Sequence, residues 1–122
     1  MALNLPTTAD LQAKFREAYA LIDVVGDEVT LRLRQDDGSY TDVALKAKVS
    51  QLKPQDIIAG STAQVGDLRA IVNAASIPAG MRRLERKDRM LWRGREYAVL
   101  EYDDATASIG ADVLAVNIFV RG

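Results

Sequence analysis

Asp27-Glu28-Val29-Thr30-Leu31-Arg32-Leu33-Arg34-Gln35-Asp36-Asp37-Gly38-Ser39-Tyr40-Thr41-Asp42-Val43-Ala44-Leu45-Lys46-Ala47-Lys48-Val49 is the stretch that decides the fold class. Val29, Leu31 and Leu33 alternate with Thr30, Arg32 and Arg34, which is the period of a half-buried strand. Asp37-Gly38 is a hairpin signal, since both residue types tolerate positive φ. Tyr40, then Val43, Leu45, Ala47 and Val49, reads as the return strand. The Thr41-Asp42 interruption is either a bulge or a ragged strand start.

Upstream, the period is that of a helix. Thr7 or Thr8 is the candidate N-cap, and Asp10 falls in the first turn. Leu11, Phe15, Ala18 and Ile22 share one face, so a helix is expected over about 8–24, with Gln12, Lys14, Arg16 and Glu17 on the wet side. That face packs either on its own domain or on a partner subunit. Downstream, Ser50 to Val65 breaks the alternation and reads as one long loop over about 50–65. Leu68–Ala74, Arg89–Trp92, Glu96–Tyr102 and Val113–Val120 then read as strands, and Arg93-Gly94 as a turn. Within Glu96–Tyr102 the alternation puts Tyr97, Val99 and Glu101 on one side, and Ala98, Leu100 and Tyr102 on the other. The near-continuous apolar run of the last strand suggests burial on both faces. One helix and about six short strands imply a mainly β fold. The expected form is a small antiparallel β-barrel or rolled sheet over about 27–122, with the helix at one end.

At 122 residues the chain is expected to be a single domain spanning 1–122. It contains no His and no Cys, which removes the triad, thiolate and imidazole-ligand chemistries that a small domain could host. No GxGxxG or GxxxxGK[ST] pattern is present. The Asp103, Asp104 and Asp112 cluster is the one acidic group of interest, and it reads as turn chemistry rather than a cation site. No catalytic residue, metal or cofactor is expected, and no enzyme activity. The first residues lack the basic and apolar regions of a secretory leader, and no apolar run is long enough to span a bilayer.

Net charge is −1, which argues against a protein that coats nucleic acid. The distribution is uneven, however. Arg82, Arg83, Arg86, Lys87, Arg89, Arg93 and Arg95 crowd one stretch, with only Glu85 and Asp88 opposing them inside it. Glu96, Glu101, Asp103, Asp104 and Asp112 follow. Three uses suit such a stretch: a solvated hairpin, a patch that meets acidic residues of a neighbouring subunit, or a contact with nucleic-acid phosphates.

The order of parts resembles a known family. Gly66-Asp67-Leu68-Arg69-Ala70-Ile71-Val72-Asn73-Ala74-Ala75 is a Gly-Asp strand ending in small residues, and Ile77-Pro78 follows it. Asp88, Gly94 and Tyr97 then fit an Asp-x-x-x-x-x-Gly-x-x-Tyr hairpin, and the chain ends on Val120-Arg121-Gly122. Together these resemble the head-closure proteins of long-tailed bacteriophages, also called stopper or head-completion proteins. Lys87-Asp88 stands where members often have Gly-Asp, so a different turn is expected there.

The resemblance implies a structural virion protein of the neck, assembled in host cytoplasm. It implies a homo-oligomeric ring, hexamer favoured over dodecamer, that joins the portal–adaptor complex to the tail terminator. The ring closes the channel and retains double-stranded DNA, with no membrane partner. By position, the implied channel loop holds Lys53, Pro54, Gln55, Asp56, Ile57, Ile58, Gly60 and Ser61. Arg82, Arg83, Arg86, Lys87, Arg89, Arg93 and Arg95, with Asp103 and Asp104, are the candidates for subunit or adaptor contact. A small nucleic-acid-binding barrel of the OB type and a tail terminator are the competing readings.

Overall fold

β1 (Asp27–Arg34) and β2 (Tyr40–Gln51) form the expected hairpin, with Asp27 opposite Ala47 and Arg34 opposite Tyr40. The register is unbroken through Thr41 and Asp42, so the return strand has a ragged start and no bulge there. Gly38 takes a φ of 87° in the connecting turn, and the Asp37 carboxylate accepts from the Ser39 N–H and hydroxyl. The computed structural model describes residues 7–57, 63–109 and 112–122.

The remaining strands are β3 (Leu68–Asn73), β4 (Arg89–Trp92), β5 (Arg95–Asp103), β6 (Ser108–Ile109), β7 (Asp112–Val113) and β8 (Ala115–Arg121). Six of them close an antiparallel barrel in the order β1-β2-β3-β8-β5-β4, while β6 and β7 make a separate two-stranded sheet. Inward side chains fill the barrel: Val29, Leu31, Ala70, Val72, Met90, Val99, Val116, Ile118 and Val120 are at most 2% exposed. Burying such side chains contributes roughly 1.5–3 kcal/mol each, and this holds the strands in register against a one-residue slip. The expected small barrel with an N-terminal helix is therefore the fold.

Three local expectations are corrected. The run Val113–Val120 is not one strand. It breaks at Leu114, whose N–H donates to the Ala107 carbonyl, so β7 and β8 belong to different sheets. Outward positions of β8, Asn117 and Phe119, are only half-buried, so the strand is not covered completely on both faces. In β5 the pairing with β8 shifts between Val99 and Glu101. This bulge at Leu100 leaves Glu101 exposed and turns Tyr102 onto the core, as Tyr97 is, whereas strict alternation put those two rings on opposite sides.

The helix has the expected start. α1 (Thr8–Ala20) is opened by a capping box in which Thr7 and Asp10 bond each other's backbone N–H. A bend at Leu21 leads to the short α2 (Ile22–Val25). None of the residues of α1 is buried, and Leu11 and Phe15 remain 38% and 46% exposed. Gln12 and Arg16, expected on the wet side, instead reach the β6–β7 sheet, donating to the Ile109 carbonyl and the Asp112 carboxylate. Phe15 and Tyr19 face the same region across a small open gap lined by Ala107, Ile109 and Leu114, while the polar side chains make the hydrogen bonds. Ile22 alone of the predicted stripe is buried.

Candidate functional site

Two short segments of identical hydrogen bonding organise the strand starts. In Gln64-Val65-Gly66-Asp67, the Gln64 N–H donates to the Asp67 carboxylate and the Asp67 N–H donates to the Gln64 carbonyl. In Glu85-Arg86-Lys87-Asp88, Glu85 and Asp88 make the same two bonds. Gly66 has a φ of 95° while Lys87 stays at negative φ, so the two turns of this chain differ in type. Each Asp is then held by an arginine through both guanidinium and carboxylate ends. Arg121 bonds Asp67 at 2.8 Å, and Arg82 bonds Asp88 at 2.6 and 2.8 Å.

Asp88 is fully buried, and Asp67 is 6% exposed. For Asp88, burial pushes the carboxyl upward. The Arg82 guanidinium and the N–H groups of Glu85 and Arg34 outweigh it and hold the group below its ordinary 3.8. For Asp67 the Arg121 guanidinium is the largest influence, and the carboxyl is likewise lowered. Neither pair was plain from the sequence. The available signal was an acidic residue placed directly before an apolar strand at 67–72 and at 88–92.

The basic stretch is largely absorbed by its own chain. Arg82 also donates to the Arg34 carbonyl. Arg83 pairs with Asp104, donates to the Tyr102 carbonyl, and lies 5.2 Å from the Tyr102 ring centre. Lys87 sits 3.5 Å from Glu85, and Arg89 sits 3.6 Å from Glu96. Arg93, at a φ of 49° in the β4–β5 turn, pairs with Asp27 and stacks 4.5 Å from Trp92. Arg95 lies over Tyr97 at 5.9 Å. Arg86 and Arg95 are exposed and have no carboxylate partner among the described residues.

Trp92 is half-buried, donates its indole N–H to Asp27, and tilts against Tyr97 with ring centres 6.0 Å apart. An open cleft of about 410 Å³ lies at this end of the barrel, lined in part by Trp92, Arg95, Tyr97, Asp67 and Arg121. Its chemistry is planar cations beside aromatic faces.

The three acidic residues of the loop region are employed separately. Asp103 accepts from the Ala105 and Thr106 N–H groups, Asp104 pairs with Arg83, and Asp112 pairs with Arg16. Among the described residues no group of three or more carboxylates converges as metal ligands. The long loop is shorter than expected at its start, since β2 runs to Gln51. Leu52 and Ala63 are buried, and Leu52 bonds Asp67 and Gly66 through the backbone, which closes the two feet of the loop. Pro54–Asp56 forms a 3-10 turn beside Lys53, and Ile57 follows. Ile58, Gly60 and Ser61 lie outside the described residues. No protein-family model matches the chain, and no curated protein shows significant sequence similarity to it.

Proposed function

We propose that the protein is a structural subunit of the neck of a long-tailed phage particle. It acts as a ring between the portal–adaptor complex and the tail terminator, closing the channel on packaged DNA by its shape and its contacts. The observation that supports this reading is how the resembling segments are joined. Asp67 of the Gly-Asp strand is clamped by Arg121 of the terminal Val-Arg-Gly. Asp88 of the hairpin is clamped by Arg82, Gly94 supplies the positive φ of its turn, and Tyr97 lies against Gly122. Residues that carry the resemblance thus carry the scaffold.

A ring of identical subunits needs two unlike surfaces per copy. Two such surfaces are available. One is the helical corner, where Leu21, Val24 and Val25 are 59%, 75% and 77% exposed. The other is the arginine–aromatic end of the barrel. The test is reconstitution with purified portal–adaptor complex of the parent particle, followed by negative-stain imaging. The expected result is an added ring on the tail-facing side. A protein that stays monomeric and leaves the complex unchanged overturns the proposal.

A further inference from the structure

Strand β2 is longer than the neighbour that covers its outer side. It pairs with β1 from Tyr40 to Ala47 but with β3 only from Lys48 to Gln51. β3 parts from β2 after Ile71 while staying paired with β8 to Asn73, where the Asn73 side chain accepts from the Ala75 N–H and turns the chain into a 3-10 segment. The direction of the backbone groups on β2 follows from the hairpin. Gln35 donates to the Ser39 carbonyl, so odd-numbered residues of β2 exchange bonds with β1 and even-numbered residues point outward. Lys48 and Ser50 meet β3 there. The outward N–H and C=O groups of Asp42, Ala44 and Lys46 have no partner among the described residues.

The opposite edge of the hairpin is treated differently. Past the end of its pairing with β4, the outward N–H of Arg34 donates to Asp88 and its carbonyl accepts from Arg82. One edge is capped and the other is open. An open groove of about 570 Å³ reaches this edge across the hairpin, lined by 28–30 of β1, 44–46 of β2, Asp23 and Ser76.

We infer that this edge pairs with the same edge of a second copy, antiparallel about a two-fold axis at Ala44. The register is dictated by charge. With Ala44 opposite Ala44, Asp42 faces Lys46 of the second copy and Lys46 faces its Asp42. Within each chain Arg32 lies opposite Asp42 and Glu28 opposite Lys46, and both are ion pairs. The outer face of the joined sheet then reads Arg32, Asp42, Lys46, Glu28 across the interface, alternating in sign throughout. On the inner face the partly buried Val43 and Leu45 meet Leu45 and Val43 of the other copy, extending the core. Ala44 is exposed and small, so nothing at the axis blocks close approach. Moving the axis to Asp42 or to Lys46 sets like charges opposite each other, and a slip of two residues either way loses both Asp42–Lys46 pairs, the slip toward Lys48 also meeting β3. The contact is short, which fits a weak dimer of the free chain. It is independent of the neck reading.

The chain has no native Cys, so engineered thiols report the register directly. Ala44→Cys is expected to form a disulfide-linked dimer under mild oxidation, because hydrogen-bonded partners sit about 5.5 Å apart at Cα. Asp42→Cys and Lys46→Cys should each remain largely monomeric alone and cross-link when mixed. In sedimentation, the unmodified protein should show a concentration-dependent rise in mass. Ala44→Pro removes only an outward N–H, so it should weaken that association at least about tenfold while the far-UV spectrum is kept. If Ala44→Pro misfolds, the cysteine variants still decide. The inference is overturned by a mass that never rises, by Asp42→Cys cross-linking alone as fast as the mixture, or by Val25→Cys outpacing Ala44→Cys.

Discussion

The Arg82–Asp88 pair shows how one buried carboxylate is tolerated in a small apolar barrel. Four hydrogen bonds from protein groups reach Asp88: two from Arg82, one from the Arg34 N–H and one from the Glu85 N–H. Removing one partner leaves the rest desolvated and unpaired. Arg82→Ala is expected to cost about 3–5 kcal/mol in urea unfolding, whereas Arg86→Ala, on the exposed neighbour, stays within about 0.5 kcal/mol. The pH dependence has a definite sign. Asp88 and Asp67 both sit below 3.8 in the folded protein, so their stabilisation is present above the unfolded value and is lost as pH falls through the folded one. Unfolding free energy should therefore drop as pH falls below the ordinary carboxylate range, and Asp88→Asn should be less stable at neutral pH with a flatter acid limb. An unchanged acid limb in Asp88→Asn would show that other carboxylates carry the effect. Gly26 is constrained by approach rather than by φ. A Cβ there would meet the Ile22 carbonyl oxygen at 2.5 Å and the Ala47 carbonyl oxygen at 3.0 Å, both backbone atoms that cannot step aside. Gly26→Ala should cost about 1–3 kcal/mol, read as a lower denaturant midpoint at unchanged slope.

Elements differ in how much of them the sequence could announce. The β1–β2 hairpin was legible because its alternation and its Asp37-Gly38 turn are local signals, and the barrel fixes both. The capping box at Thr7 and Asp10 was legible for the same reason. The bulge in β5 was not, because an extra residue at Leu100 leaves no mark in composition and depends on how β8 lies beside it. The mini-hairpin β6–β7 was hidden because Val113 and Leu114 continue the apolar run of β8. What α1 packs on was not legible, because periodicity reports which residues share a face, not what lies beneath it. Of the candidate site, the positions of the basic stretch were plain, but its internal pairing was not. Arg83 with Asp104 and Arg93 with Asp27 join residues far apart in sequence. A consequence follows for α1. With no buried residue, it adds little to the barrel. Deleting residues 1–20 should cost less than about 2 kcal/mol and preserve cooperative unfolding followed by Trp92 fluorescence. Ile22→Ala, by contrast, empties a buried site and should cost about 2–4 kcal/mol. A truncated chain that no longer folds would place α1 within the core unit.

For the whole molecule, the issue is whether the cationic surface is available to a polyanion. A count of positive residues suggests that it is, since the stretch from Arg82 to Arg95 is rich in them. Geometry says otherwise for most of them. Arg82, Arg83, Lys87, Arg89 and Arg93 already lie within 4.0 Å of a carboxylate in their own chain. A paired guanidinium that turns to a phosphate must first leave its partner, so it releases fewer counterions per contact than a free one. Arg86 and Arg95 are left to respond, on a chain whose net charge is −1. Each neutralised phosphate contributes close to −0.9 to the slope of log K against log salt on duplex DNA. The stretch should therefore contribute a shallow slope, no steeper than about −2, with weak affinity even in dilute salt. Anisotropy of a labelled duplex, titrated from low to physiological salt, measures it. Arg86→Ala with Arg95→Ala should flatten what slope there is. A slope of about −5 or steeper, lost on Arg82→Ala, would instead favour the nucleic-acid-binding barrel. The shallow outcome suits a channel component better, because a ring multiplies whatever each subunit contributes. DNA that has to be held and later released is served by shape and by weak contacts, and it would be trapped by strong ones.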